Sequence, residues 1–264
     1  MRKVHVITQK EAVDEQKIEG CTVVVLDVFL ATSTITFLID KNYWPVYAVE
    51  NSESGLLLSI EIDEPYILLG ESKGDAIEGF LYPDPSLLVR TESRKAAVIC
   101  STNGTRAIKK AENAKKLYIS SLINGHVVAN SLHDQTDNSS IVLICSGNDD
   151  RFSMEDFIGA GHIIHHLMNK GDYSLSDSSK LARDAFNYSL SQNFEGLLTS
   201  ETANLLNSLG YEKSIAYVLD HFEKIDVVPV LDGNKIIVHP TEDIIFKEET
   251  GSKIGERRYR HEYY

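Results

Sequence analysis

Cysteine is scarce in this chain of 264 residues, which has only Cys21, Cys100 and Cys145. These three are scattered, so they form neither a disulfide framework nor the close spacing of a zinc site. Positive charge is also in short supply, since 26 Lys and Arg stand against 39 Asp and Glu, for a net charge of −13. This balance argues against nucleic acid and anionic membrane surfaces as partners.

Long hydrophobic runs are missing as well. The longest apolar stretch, around residues 22–39, is interrupted by Asp27 and by hydroxyl side chains, so we expect no membrane span. The start, MRKVHVITQK, has no apolar segment of the kind found in signal peptides. We therefore expect a soluble, cytoplasmic protein with enough length for one large domain or two small ones.

Two common phosphate-handling signatures are absent too. No Gly-rich loop ends in Lys-Ser or Lys-Thr, so nothing in the sequence points to a nucleoside triphosphatase. A haloacid dehalogenase would need a second Asp two residues after Asp27, and Phe29 occupies that position. The sequence excludes that family.

What the chain does have is a repeated unit: a β-prone apolar run, a small polar loop and a helical pattern. The unit occurs at residues 22–39, 97–111 and 141–161. Apolar runs that feed a helix through a short loop are typical of buried parallel strands. We therefore predict an α/β fold with a mainly parallel sheet sandwiched between helices. Because ligands gather beyond the carboxyl ends of such strands, we expect the three loops to share a functional edge.

The remaining elements follow from local patterns. Strands are predicted at 3–8, 44–49, 66–69 and 116–120, and helices at 52–62, 122–132, 153–169, 177–191, 199–208 and 214–222. Asp232-Gly233 predicts a C-terminal β-hairpin, and Pro229 predicts that its first strand lies at a sheet edge. A polar turn at 134–140 divides the unit 1–240 into two candidate α/β halves. Residues 241–264 form a charged tail without periodicity.

Two of the loops contain Cys, five residues and Arg, from Cys100 to Arg106 and from Cys145 to Arg151. This is the spacing of the phosphate loop of Cys-dependent phosphatases, in which a thiolate attacks phosphorus. No His precedes either Cys, however, and each thiol closes an apolar strand. We therefore favour packing roles for both thiols and keep a thiol phosphatase as an alternative hypothesis.

Four acids stand where the functional edge is expected: Asp27, Glu71, Glu155 and Asp156. Asp27 ends an aliphatic run, where an unpaired carboxylate is costly, so we favour a metal ligand or nucleophile over a helix cap. Glu71 could equally be a solvated loop residue. Ser153 and Asp156 fit a capping box, which explains Asp156 without a function. Glu155 could simply complement the helix dipole.

Anion-binding groups lie beside these acids. Asn103-Gly104-Thr105, at the start of a predicted helix, offers N–H groups to a phosphate or forms an ordinary helix cap. Arg106 and Arg151 are natural partners for anionic oxygens. On a later helix, His162, His165 and His166 have spacings that could chelate a metal. With no third, distant ligand in view, we expect surface or half-buried histidines there.

Taken in order, these segments resemble the 2-phosphosulfolactate phosphatases, the ComB-like proteins. The resemblance rests on residues 26–35, Gly70-Glu71, Gly79-Phe80, 101–107, 152–156, 160–161 and 226–229, and it covers about residues 3–240. The run Ser-Thr-Asn-Gly-Thr-Arg at 101–106 is the most specific piece. The resemblance implies a Mg²⁺-dependent phosphomonoesterase that hydrolyses (2R)-O-phospho-3-sulfolactate to 3-sulfolactate and phosphate.

The resemblance carries roles over by position. Asp27, Arg106 and Glu155 are predicted to act in catalysis, and Asp27, Glu71, Glu155 and Asp156 to hold Mg²⁺. The predicted substrate-binding residues are Thr32, Ser33, Thr102, Asn103, Gly104, Thr105 and Arg151. The expected partner is a small acidic phosphorylated substrate, and the sequence leaves a homo-oligomer open.

Two departures from the family pattern concern the substrate. Leu30 stands where the family usually has Arg, and Pro83-Asp84-Pro85-Ser86 replaces a usual Gly-Asn-Ser-Pro. A substrate with phosphate, carboxylate and sulfonate needs several cations to hold it. The alternatives are therefore a phosphatase for another small acidic phosphoester, or a non-catalytic small-anion-binding protein on the same scaffold.

Overall fold

The computed structural model describes residues 1–239, which form alternating strands and helices. The strands are β1 (Arg2–Ile7), β2 (Thr22–Leu26), β3 (Tyr43–Val49), β4 (Tyr66–Ser72), β5 (Asp75–Ala76), β6 (Lys95–Cys100), β7 (Lys116–Ser120), β8 (Ile141–Cys145), β9 (Tyr173–Leu175), β10 (Pro229–Asp232) and β11 (Lys235–Val238). The helices are α1 (Glu15–Ile18), α2 (Ala31–Asp40), α3 (Ser52–Glu61), α4 (Gly104–Lys110), α5 (Gly125–His133), α6 (Met154–Lys170), α7 (Asp177–Ser191), α8 (Glu201–Ser208) and α9 (Glu212–Asp220).

All eleven strands belong to one sheet, in the order β5-β4-β6-β3-β11-β10-β7-β2-β8-β1-β9. Most neighbouring strands are parallel. β6 is parallel to β3 and β4, β2 is parallel to β7 and β8, and β1 is parallel to β8 and β9. The central strands β2 and β8 are buried at every residue, which is why each appears as an unbroken apolar run. The predicted α/β fold with a mainly parallel sheet is confirmed.

Helices cover both faces of this sheet. Val23 and Val25 of β2 belong to an apolar cluster with residues of α2 and α4, whereas Val24 and Leu26 belong to a second cluster with residues of α5 and α6. This alternation is the two-residue period of a strand with a core on each side. A third cluster packs residues of α7, α8 and α9 against α2 and the segment before it. The C-terminal helices therefore lie beside the loop that follows β2.

The hairpin β10–β11 forms as predicted, but the edge position predicted from Pro229 is wrong. β10 pairs antiparallel with β11 on one side and with β7 on the other, and β11 continues to β3. Pro229 is tolerated because it is the first residue of β10, and the pairing with β7 goes through Val230 and Tyr118. The hairpin thus lies in the middle of the sheet and joins β3, β6, β4 and β5 to the other five strands.

Two further segments complete the chain. Residues 134–140 connect α5 to β8. The predicted tail at 241–264 lies outside the described residues. Within residues 1–239, no helix combines the length and the apolar character that crossing a membrane requires.

Candidate active site

A cavity of about 150 Å³ opens where the loops after β2, β6 and β8 meet. Seven of the predicted site residues line it: Asp27, Glu71, Thr102, Asn103, Arg151, Glu155 and Asp156. Hydrogen bonds hold the loops together. Val28 N, after β2, donates to Asp156 Oδ1 of α6. Asp149 N, after β8, donates to Asn103 Oδ1, after β6. The expected meeting of the three loops at one sheet edge is therefore confirmed.

Asp27 stands at the end of β2 with its backbone held by Thr32. The Thr32 hydroxyl accepts from Asp27 N at 2.9 Å and donates to Asp27 O at 2.8 Å. The carboxylate Oδ1 accepts only a long bond of 3.4 Å from Ala31 N. Burial, followed by the charge of Glu71 and then that of Glu155, raises the pKa of Asp27 to about 7, against the lowering effects of Ala31 N–H and Lys10. Asp27 is thus a carboxylate that lacks a full set of partners.

Glu155 lies in the first turn of α6 and is 2% exposed. Its Oε2 is buried and has no hydrogen-bond partner among residues 1–239. An unpaired, buried carboxylate oxygen is costly unless a cation or proton compensates it. Glu155 therefore needs a partner that the described protein does not supply.

Asp156 is bound differently from its neighbour. Its Oδ1 accepts from Val28 N at 2.8 Å and its Oδ2 accepts from Gly147 N at 3.1 Å. Ser153 Oγ accepts from Asp156 N at 3.3 Å, so the Ser half of the predicted capping box is present. The prediction that the Asp156 side chain caps its own helix is wrong, because the carboxylate reaches across to the loops after β2 and β8. Burial, then Asp27, then Glu155 raise its pKa well above the ordinary value.

Glu71 joins two loops rather than standing free in solvent. Its Oε1 accepts from Thr102 N at 2.5 Å, and its Oε2 accepts from Thr102 Oγ1 at 2.9 Å and from Gly74 N at 2.8 Å. The segment Gly70-Glu71-Ser72-Lys73-Gly74 also has the Gly-x-Ser-x-Gly spacing of serine hydrolases. Ser72, however, is the last residue of β4 and pairs antiparallel with Asp75 of β5, so it does not stand on a strand-to-helix elbow.

The carboxylate oxygens that lack hydrogen-bond partners fit a divalent cation held by few protein ligands. Glu155 Oε2 has no partner, and among the described residues no hydrogen bond engages Asp27 Oδ2. A Cβ at Gly104 would lie 2.6 Å from Asp27 Oδ2, so the glycine leaves room for that oxygen. No three acids of the described cavity bring ligand atoms within 4.8 Å of one another. Mg²⁺ suits such a pair because it commonly takes one or two carboxylates and keeps several waters.

The other residues predicted for substrate binding or catalysis do not line the cavity. Thr32, Ser33 and Thr105 are fully buried, and each hydroxyl donates to a backbone carbonyl four or five residues before it. Gly104 starts α4 behind Asp27. Arg106 lines a smaller cavity of about 90 Å³ together with Glu50 and Cys100. Glu71 and Thr102 form the wall between the two cavities.

The structure adds residues that the sequence patterns did not single out. Lys10, which follows β1 at the same edge, is 6% exposed and donates to Asn103 Oδ1 at 2.8 Å. Tyr82 lines the cavity and stacks on Tyr211 with ring centroids 3.8 Å apart. Lys73 supplies a second cation beside Arg151. Its position shortly after a predicted strand was the only signal for Lys10.

The thiols do not resemble nucleophiles. Cys145 is fully buried in β8, and burial, followed by Asp156 and Glu155, raises its pKa well above the ordinary value. Burial and the charge of Glu71 raise the pKa of Cys100 to about 11. Thiolates are the reactive form of cysteine, and both sites disfavour them. The packing roles predicted for Cys100 and Cys145 agree with these surroundings.

Comparison with known proteins gives a consistent result. A family model described as 2-phosphosulpholactate phosphatase matches residues 7–234. A protein of Clostridium novyi (strain NT), named "Probable 2-phosphosulfolactate phosphatase", is 32% identical over 237 residues, which cover 89% of this chain and 99% of that protein. Proteins with the same name from Clostridium tetani and Clostridium acetobutylicum are 32% and 31% identical, covering 88% and 81% of this chain and 97% and 92% of their own.

Proposed function

Because the chain belongs to the 2-phosphosulpholactate phosphatase family of phosphoric monoester hydrolases, we propose that it hydrolyses a small acidic phosphomonoester in the cavity around Asp27, with Mg²⁺ as cofactor. Asp27 and Glu155 would hold the cation. When bound, Mg²⁺ supplies positive charge that polarises the phosphoryl oxygens and offsets the charge that builds up during transfer.

The observation that carries this proposal is the unpartnered Oε2 of Glu155, buried beside an Asp27 whose pKa rises to about 7. Charges at Glu71 and Glu155 both contribute to that rise, so the ionised cluster repels itself. Lys10 opposes the repulsion only as the smallest of the contributions to the pKa of Asp27. A divalent cation would offset the repulsion among these carboxylates, because it favours the ionised form of every carboxylate near it.

The anionic part of the substrate has its own partners in the cavity. Arg151 and Lys73 line it with positive charge, and the Asn103 amide is fixed there by Lys10. Arg151 also forms an exposed ion pair with Glu201 of α8 at 2.7 Å, which connects the loop after β8 to α8. Thr202, Leu205 and Leu206 of α8 form part of the same wall. These residues would bind and orient the phosphoester and reduce the access of bulk water.

We propose (2R)-O-phospho-3-sulfolactate as the substrate, since the relatives carry that activity in their names. Leu30 lines the cavity but is 6% exposed and packs in the third apolar cluster, so it brings no charge to a sulfonate. Lys73 and Arg151 are then the cations left for the carboxylate and sulfonate. A phosphoester without the sulfonate is the alternative substrate.

The test is phosphate release from phosphosulfolactate, phospholactate and phosphoglycerates, each in EDTA and after Mg²⁺ is restored. We expect turnover only with Mg²⁺, and the highest kcat/KM with phosphosulfolactate. Glu155→Gln should lower kcat by about 100-fold or more, because the cation contributes several kcal/mol to the transition state. Glu112→Gln, which alters an exposed pair with Lys109, is the matched control and should not change the rate. Full turnover in EDTA, or no turnover of any of these esters, would refute the proposal.

A further inference from the structure

Two histidines of α6 converge on one carboxylate outside the acidic cavity. His162 Nε2 lies 2.8 Å and His166 Nε2 lies 2.6 Å from Oε1 of Glu223, in the segment after α9. One ligand atom from each of the three residues lies within 4.8 Å of the others, the only such group of His, Cys, Asp and Glu in the described chain. We propose that His162, His166 and Glu223 form a second metal site, which takes Zn²⁺.

The ligand types select the metal. Two imidazole nitrogens and one carboxylate are a donor set that Zn²⁺ accepts in a tetrahedral site with one position open. Mg²⁺ prefers oxygen ligands and suits Asp27 and Glu155 instead. The helix itself sets the spacing, since residues four apart lie on the same face one turn from each other. The prediction of surface or half-buried histidines is wrong for His162, which is fully buried.

Metal binding would replace the hydrogen bonds within this group. His162 and His166 both face Glu223 Oε1 through Nε2. A metal bound at these nitrogens needs their lone pairs, so each imidazole would be neutral and would carry its proton on Nδ1 in the metal-bound state. Glu223 Oε1 would then bind the metal instead of accepting hydrogen bonds from the two rings.

The distances require a small expansion. Tetrahedral Zn²⁺ with bonds of 2.0–2.1 Å places its ligands about 3.3 Å apart, whereas the present contacts are 2.8 and 2.6 Å. His162 is fixed by burial, but the side chains of His166 and Glu223 are 25% and 33% exposed. These two can move outward, and the same exposed side gives the metal an entry path. The fourth position would open in that direction.

A third imidazole lies next to this group. The ring of His126, on α5, is centred 6.3 Å from that of His166, and its Nδ1 is buried without a partner among residues 1–239. Its Nε2 lies 3.3 Å from Asp226 Oδ1, three residues beyond Glu223. The surroundings are therefore rich in nitrogen donors and in carboxylates that can orient them, as is usual around zinc ligands.

The position of the site indicates a structural role. His162 is seven residues beyond Glu155, which is about 10 Å along the helix axis. A metal there would tie α6, whose first turn carries the acids of the cavity, to the segment that leads from α9 into β10. It would stabilise the packing of the C-terminal helices without touching the phosphoester.

The experiment uses the full chain, stripped with EDTA and dialysed, in the Glu155→Gln background so that the acidic cavity contributes little metal binding. Zn²⁺ is titrated by calorimetry, and Co²⁺ is added as a spectroscopic probe. We expect one equivalent to bind and Co²⁺ to give the visible bands of a tetrahedral, nitrogen-ligated ion. His166→Asn and Glu223→Gln should each weaken Zn²⁺ binding by about 100-fold or more. Even loss of a group that only hydrogen-bonds to a zinc ligand changes the affinity about 10- to 100-fold.

The matched control is His165→Asn, on the same helix but bonded to Asn187 and Asn169, and it should bind Zn²⁺ like the parent. Zn²⁺ should also raise the Tm of the parent and of this control but not that of His166→Asn. Unchanged Zn²⁺ affinity in both ligand variants would refute the site. If those variants fail to fold, the Co²⁺ spectrum of the parent protein is the test. A parent protein saturated with Co²⁺ that shows no tetrahedral bands would also refute the site. Loss of phosphatase activity has no bearing on either readout.

Discussion

Lys10 Nζ donates a 2.8 Å hydrogen bond to Asn103 Oδ1, so the segment after β1 holds the loop after β6. The same amide oxygen accepts from Asp149 N at 3.2 Å, which brings in the loop after β8. Lys10 also lies 2.7 Å from Glu11 Oε1 and donates to Ser146 O at 3.3 Å. One buried ammonium group thus organises three loops at the cavity and lowers the pKa of Asp27.

Replacement of this lysine should therefore impair turnover in a pH-dependent way. Lys10→Met removes a charge that lowers the pKa of Asp27, so that pKa should rise further and the acid limb of the rate profile should move to higher pH. Loss of a charged hydrogen bond should reduce kcat/KM by about 10- to 100-fold. Rates measured from pH about 5 to about 9 check both effects. Lys109→Met, at an exposed ion pair, is the control and should leave the profile unchanged. An unshifted acid limb in Lys10→Met would contradict the effect of Lys10 on the pKa of Asp27.

The two cysteines give a second prediction. Cys100→Ser should retain turnover within about twofold of wild type, because a thiol whose pKa is raised to about 11 is a poor nucleophile at neutral pH. Cys145→Ser should also turn over substrate, but with a lower Tm, since a hydroxyl replaces a fully buried thiol. Rates with and without EDTA, beside melting curves, separate these effects. Metal-independent activity that disappears in Cys100→Ser would restore the thiol mechanism.

The parts of the fold that follow from local sequence were predictable. β2 and β8 are buried on both faces, so their apolar runs specify parallel central strands without reference to the rest of the chain. The place of the hairpin in the sheet was not predictable in this way. Pro229 lacks a donor, but whether a strand beginning with it finds β7 depends on long-range pairing at Val230, which no local pattern encodes.

The site shows the same limit. Asp27 could be selected because a carboxylate directly after an apolar run is unusual. Glu155 could be selected only through the family resemblance, because an acid at a helix start is common. The partners of Asp156 lie at Val28 and Gly147, and Glu223 reaches His162 across 61 residues, so sequence spacing could not reveal either. Thr32 fits a substrate-binding residue equally well in sequence, but in the structure its hydroxyl serves the backbone of Asp27.

The raised pKa of Asp27 predicts how stability depends on pH. Between about pH 4 and about pH 7 the folded protein binds a proton at Asp27 that the unfolded chain has released, so the contribution of Asp27 to the free energy of unfolding falls as pH rises through that window. In EDTA, Asp27→Asn should flatten this part of the Tm profile, whereas Asp177→Asn at an exposed position should not. Melting curves in EDTA across that range test this sign. A wild-type Tm that rises from pH about 5 to about 7 while Asp27→Asn shows the same rise would contradict it.

The adjacent acids Glu155 and Asp156 should respond in opposite ways to loss of charge. Asp156 accepts from Val28 N and Gly147 N, so Asp156→Ala leaves two buried N–H groups without acceptors, at a cost of about 1–3 kcal/mol each. Its Tm should fall by several degrees even in EDTA. Glu155→Gln removes charge from an oxygen that has no partner, so the apo protein should be as stable as wild type or more so.

Mg²⁺ binding should distinguish Glu155→Gln from a third variant, Asp156→Asn. Glu155→Gln should weaken Mg²⁺ binding strongly and abolish the rise in Tm that the cation gives to wild type. Asp156→Asn keeps one acceptor in place and should still bind Mg²⁺, with any change in affinity arising from the shifted loops. Isothermal titration with Mg²⁺, together with melting curves with and without the cation, measures both quantities for each variant. Wild-type Mg²⁺ affinity in Glu155→Gln would remove that residue from the metal site and leave the cation to Asp27 and Glu71. The Glu71 carboxylate would then have to give up its hydrogen bonds with Thr102 and Gly74 to bind the cation.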